Sequence, residues 1–191
     1  MKKTILINGL IAGFIVTAMM VTSSLLCYKN SNFEGSMVLG YLGMLLAFSF
    51  VFVGIKSYRD KHNSGTITFG EAFKIGLFIT LIASTIYVAV WLVEYYFFIP
   101  DFMEKYTAHM LKQAAEKGAS VAEIQNQTAQ METYKEWYKN PFLIILLTYS
   151  EVIPVGLVVT LISALILKRN QKPEKDTTAL KKNHVFGTSF F

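Results

Sequence analysis

Residues Phe142–Leu167 read FLIILLTYSEVIPVGLVVTLISALIL, 26 residues with a single charge, Glu151. At about 1.5 Å per residue, a helix of that length exceeds a hydrocarbon core of roughly 30 Å. The stretch therefore reads as a transmembrane helix, and three others stand upstream of it. Thr4–Cys27 (TILINGLIAGFIVTAMMVTSSLLC) is 24 residues without a charge, and Met37–Ile55 and Ile75–Val93 are 19 each. The four runs hold 88 of 191 residues, in a chain that is 53% hydrophobic and 16% charged. One soluble core cannot absorb that apolar excess, whereas lipid can. The expectation is an all-α membrane protein with four transmembrane helices at about 4–27, 37–55, 73–98 and 142–167, forming a transmembrane domain over 1–169.

A cleaved signal peptide is the competing reading of the first run, because Lys2 and Lys3 precede it and Ser23-Ser24-Leu25-Leu26-Cys27 could suggest a lipoprotein site. The run is longer than a signal core of roughly 7 to 15 residues, and bulky Leu26 stands before Cys27 where a small residue is wanted. Direction follows from lysine and arginine, which resist export near a span. Twelve of them fall in the N-terminus, the link Lys56–Lys74 and the segment after Leu167, with four acids, for a charge of +8. Six fall in the other two links, with seven acids, for −1. Both termini are expected to be cytoplasmic. The formal +5 then reads as a topology signal, and nucleic acid is not an expected partner.

The links differ in kind. In the first basic one, Asn63-Ser64-Gly65 signals a turn, and Thr68 with Glu71 has capping-box spacing, which starts the third helix there. About 40 residues from Pro100 to Asn140 far exceed what two antiparallel spans need. They predict an extracytoplasmic helical hairpin over 101–140. Asp101 and Glu104 are placed to cap its first helix, whose apolar residues Phe102, Tyr106, Met110 and Ala114 recur every fourth position, and Gly118 ends it. Ser120 and Glu123 open the second helix, in which Val121, Ile124, Thr128, Met131 and Tyr138 follow a seam. Tyr134, Trp137 and Tyr138, like Tyr95 to Phe98, read as interfacial anchors. Residues 170–191 read as a disordered, basic cytoplasmic tail.

Rows of small residues mark each span: Gly9 and Gly13; Ser36, Gly40 and Ala47; Gly76, Thr80 and Ser84; Gly156, Thr160 and Ala164. They read as packing faces within the bundle, with a homodimer seam as the alternative. Two acids lie in or against the spans, and a carboxylate in lipid is costly enough to count as a functional candidate. Glu94 lies six residues before Pro100. Glu151 lies ten residues past Pro141, and Pro154 can kink the helix beside it. Glu94, Glu151, Tyr149 and Pro154 are therefore the candidate intramembrane polar site, with Tyr149 or Thr148 as a bonding partner for Glu151 in the purely structural reading. His62, His109 and His184 are dispersed and Cys27 is alone, so no metal or cofactor site is expected, and no HExxH, P-loop, G-x-S-x-G or dinucleotide fingerprint occurs.

Three segments carry a likeness: Gly54-Ile55-Lys56-Ser57-Tyr58-Arg59-Asp60, Thr66–Lys74 (TITFGEAFK) and Glu151–Leu157 (EVIPVGL). They resemble a family of small bacterial membrane proteins known as domain of unknown function 4199, over the chain from its first span to about Arg169. The resemblance implies a multi-pass protein of the bacterial cytoplasmic membrane and brings no activity or catalytic residues with it. The expected role is a non-enzymatic accessory or scaffold component in the lipid bilayer, with a protein partner at the hairpin. The alternative is a small transporter or an ion- or proton-coupled protein using Glu94 and Glu151.

Overall fold

The computed structural model of the chain describes residues 1–30 and 33–169, and side chains outside 29–37. The described residues are all-helical: α1 (Lys2–Asn30), α2 (Phe33–His62), α3 (Phe69–Phe97), α4 (Phe102–Glu116), α5 (Val121–Tyr138) and α6 (Pro141–Leu167). No strand occurs among them beyond an isolated bridge between Ile67 and Arg169. Four of the helices, α1, α2, α3 and α6, are long and apolar enough to cross a membrane. Their outward faces are apolar as well as their inward ones: Phe14 keeps 75% of its surface exposed, and Leu42, Leu46, Ile162 and Leu165 are exposed beside it in kind. Such a surface suits lipid, not water. The basic segment 170–191 and the side chain of Ser36 lie outside the described residues.

Around the bundle α1 is followed by α2, α6 and α3, each touching the next, with α2 and α3 also in contact across the middle. Small residues explain the closest approaches. A Cβ on Gly156 would lie 2.3 Å from Thr80 Cγ2 and 2.9 Å from Phe48, and one on Gly76 would lie 2.7 Å from Thr160 Cγ2. The two threonines meet between α3 and α6 at 3.1 Å, and both are fully buried. Gly9 and Gly13 admit Ile82 and Ile86 of α3, and Gly54 admits Ile79. The rows of α1, α3 and α6 thus pack within the chain, whereas a Cβ on Gly40 in the α2 row would meet nothing within 4 Å.

At one end, α2 runs on to His62, two turns past the 37–55 span, because Ser57–His62 continue a helix whose basic last turn suits its C-terminal dipole. The link that the sequence places from Lys56 is therefore only 63–68. Ser64 and Gly65 take positive φ, 50° and 75°, as the turn requires. Thr68 and Glu71 form the full capping box of α3. Ile67 and Arg169 exchange backbone hydrogen bonds of 2.9 and 2.8 Å, and Arg59 reaches the Leu167 carbonyl at 3.4 Å. The basic residues around positions 56–74 and 168–169 are gathered at this end.

At the other end α4 and α5 form a hairpin against the bundle, α5 also touching α6. Ser120 and Glu123 make the second capping box, and Gly118 takes φ 80° at the turn. Asp101 departs from expectation. Its side chain caps nothing in α4. Instead its carboxylate accepts from the Tyr28 hydroxyl at 2.7 Å and pairs with Lys105 at 3.1 Å, while the Lys105 ammonium sits 3.5 Å over the Tyr28 ring. The end of α1 has thus taken the carboxylate that would otherwise cap α4. The hairpin seam is also shifted. Met103 and Thr107 are the buried residues of α4, α5 buries none, and Val121 stays 74% exposed. The reason is that α4 rests on Trp91 and Tyr95 as well as on α5, which rotates its contact face by one residue.

Gly156→Ala should lower the unfolding midpoint of the detergent-purified protein, by an overpacking cost of about 1–3 kcal/mol. Gly70→Ala, whose methyl would meet nothing within 4 Å, should not, and equal behaviour of the two would refute the close α3–α6 contact. Asp101→Asn should raise amide hydrogen exchange in α4. The Tyr28 hydroxyl and Lys105 hold the Asp101 carboxyl below its ordinary range, so the tie is present above that range and is lost only as pH falls through the lowered value. Exchange in α4 that rises already through the ordinary carboxylate range would contradict it.

Candidate functional site

Close contact is concentrated in the half of the bundle nearest the 63–68 link. In the half nearest the hairpin the same helices carry large side chains: Met20 on α1, Tyr41 and Met44 on α2, Tyr87 and Trp91 on α3. Large residues hold the helices apart, and a cavity of about 530 Å³ lies between them. Every helix contributes to its wall. Ser24 and Cys27 come from α1, Thr148 and Glu151 from α6, Met103 and Tyr106 from α4, and Met131, Tyr134 and Tyr138 from α5. The hairpin therefore turns its rings inward as a roof. Tyr134 and Tyr138, read from sequence as interfacial anchors, line the cavity in this roof, whereas Trp137 is outside the lining and packs edge-on against Tyr134, both rings being 40% exposed.

Aromatic stacking fixes the roof. Phe102 meets Trp91 edge-on with centroids 5.3 Å apart, and Tyr138 meets Tyr95 at the same separation. Burial, and after it the charge of Glu151, pushes the Tyr138 hydroxyl up to about 12. Tyr106 is shifted in the same direction, again by burial first. Both phenols are hydrogen-bond donors at neutral pH, and neither adds charge to the cavity. Among the described residues that line it, Glu151 is the one carboxylate, and there is no lysine, arginine or histidine.

The four residues singled out from sequence do not form one site. Glu151 faces the cavity, is exposed, and receives no hydrogen bond or ion pair among the described residues. Glu94 is buried at 4% exposure, outside the lining, where it accepts from the Ser24 hydroxyl; its second oxygen is buried without a partner. Ser24 is thus the wall between Glu94 and the cavity. The Tyr149 hydroxyl pairs with Thr85 at 2.9 Å rather than with Glu151. Thr148 donates to the Ile144 carbonyl at 2.7 Å. Pro154 lies inside α6 and is exposed, off the cavity wall. Tyr41, Tyr87 and Trp91 are lining residues absent from the sequence expectation, and Tyr106 figures there only in the apolar repeat of the hairpin. The available signal was that bulky Met and aromatic residues gather in the hairpin half of α1 and α3, at the opposite end from Gly9, Gly13 and Gly76; α2 breaks the pattern, with Gly40 and Gly43 in its hairpin half. Among the described residues no group of three His, Cys, Asp or Glu could hold a metal ion.

No curated protein and no solved structure matches the chain. The family model described as "Protein of unknown function (DUF4199)" matches residues 7–169, which is most of the chain and includes every lining residue of the cavity. The likeness in Gly54–Asp60, Thr66–Lys74 and Glu151–Leu157 is accounted for, and the chain belongs to the DUF4199 family.

Proposed function

We propose that this DUF4199 member is a non-enzymatic, multi-pass protein of the bacterial cytoplasmic membrane that receives a small molecule in the cavity beneath its hairpin. The cavity itself carries this reading. Its volume falls within the roughly 300–1,000 Å³ of sites that bury a drug-sized ligand, and its lining is mostly apolar with one convergent charged group. A catalytic role is less well supported by the same lining, which offers a single carboxylate with no histidine or lysine beside it.

The hairpin bears on the choice between a scaffold and a binding protein. Its rings Tyr106, Tyr134 and Tyr138 point at the cavity, while exposed Glu132, Glu136 and Lys139 are engaged in pairs along α5. An outer face of that kind favours a roof over a docking platform. The orientation proposed here puts the hairpin outside and the basic end in the cytoplasm, since the basic link and the end of α6 meet at the opposite pole. Glu151 then lies in the outer half of the membrane.

Two experiments test these statements. Toluene should raise the unfolding midpoint of the full chain in detergent, and Thr148→Phe, which places a ring in the cavity, should abolish that rise. No rise with the native residue would remove the binding reading. In a Cys27→Ser background, Gln125→Cys should react with an impermeant maleimide added to intact cells and Lys61→Cys should not; the reverse pattern would invert the orientation.

A further inference from the structure

The cavity pairs one unpartnered carboxylate with a wall of rings, and that combination selects a class of ligand. We infer that the site binds an organic ammonium cation with an apolar body, the charge held between Glu151 and the faces of Tyr87, Trp91 and the roof tyrosines. The inference rests on the cavity reading above and narrows it to a ligand class.

Charge complementarity comes first. Among the described residues Glu151 is the sole ionic group in the lining, it receives no hydrogen bond or ion pair from them, and no described cationic side chain reaches the cavity to neutralise it. In a site whose lining is mostly apolar, an uncompensated carboxylate attracts a counter-charge more strongly than it would in water. Seven aromatic residues and four methionines line the same space. Aromatic faces attract a desolvated cation, with tryptophan best and tyrosine next, and such rings are the usual cage for quaternary ammonium groups. Methionine side chains adapt to apolar bodies of varied shape.

The lining also argues against a bare metal ion. Calcium takes six to eight oxygen ligands and magnesium keeps near-ideal octahedral oxygen coordination. The cavity offers one carboxylate, and the second membrane acid, Glu94, is turned away behind Ser24. An ammonium whose charge is spread over methyl or methylene groups needs no such oxygen cage.

The test uses two probes of one shape: benzyltrimethylammonium, and neopentylbenzene, in which carbon replaces the cationic nitrogen. The full chain carries two tryptophans, so Trp137→Phe leaves Trp91, on the cavity wall, as the fluorescent reporter. In phosphatidylcholine nanodiscs the cation should shift Trp91 emission at concentrations at least about tenfold lower than the neutral analogue, the factor that 1.4 kcal/mol represents. Glu151→Gln should abolish that preference while still binding neopentylbenzene, which shows that the cavity is intact. Glu151→Asp should keep part of the preference, and Tyr87→Leu should reduce it. Equal response to both probes in the parent protein, or a preference that survives Glu151→Gln, overturns the cation assignment and leaves the cavity reading standing. No response to either probe overturns both.

Discussion

The close approach of α3 and α6 at Gly76, Thr80, Gly156 and Thr160 is the contact on which the rest of the bundle depends. In lipid, apolar side chains gain nothing by hiding from water, so helices associate through packing and polar pairs between them. Two glycines and two threonines supply both. The glycines let the opposing threonine methyls in, and the threonine hydroxyls meet at 3.1 Å in a fully buried position. Phe48 of α2 fills the third side of the same contact. With the helices clamped at that level, the bulky residues nearer the hairpin cannot close the other half. Met20, Met44, Tyr87 and Trp91 keep the helices apart there, and the cavity is the consequence.

The roof follows from a second constraint. A cavity at the end of a bundle would leave rings and a carboxylate uncovered, and the long link between α3 and α6 lies over it. Its attachment is polar as well as aromatic. Tyr28, Asp101 and Lys105 join the end of α1 to the start of α4, and Trp91 with Phe102 and Tyr95 with Tyr138 bind the two halves of the hairpin to α3. The two membrane acids are sorted by this arrangement. Glu94 is spent on Ser24 within the packed wall, and Glu151 is left facing the space that the roof encloses.

Much of this was legible in the residues. Apolar runs of 19 to 26 residues located four helices, and Thr68 with Glu71 and Ser120 with Glu123 marked two helix starts through a local hydrogen-bond pattern that needs no tertiary partner. Asp101 failed as a cap because its competitor, Tyr28, lies 73 residues away in sequence. The helix α2 outlasts the apolar run because hydropathy ends at Ile55 while helical geometry continues to His62. The candidate site was only half legible. Charge in a span drew attention to Glu94 and Glu151 alike, but whether a carboxylate meets a hydroxyl or a cavity depends on which residue the neighbouring helix presents at its depth, and no local pattern encodes that. Tyrosines near a span end have the same composition whether they anchor at an interface or roof a cavity.

Glu151 faces an open, ligand-sized space while Glu94 is packed away from it. Cysteine reactivity measures that difference most directly. In a Cys27→Ser background, Glu151→Cys and Glu94→Cys would be treated separately with a small methanethiosulfonate reagent in nanodiscs. Rapid modification at position 151 and protection at position 94 is the predicted result. Protection at 151, or equal reactivity at both positions, would contradict the account.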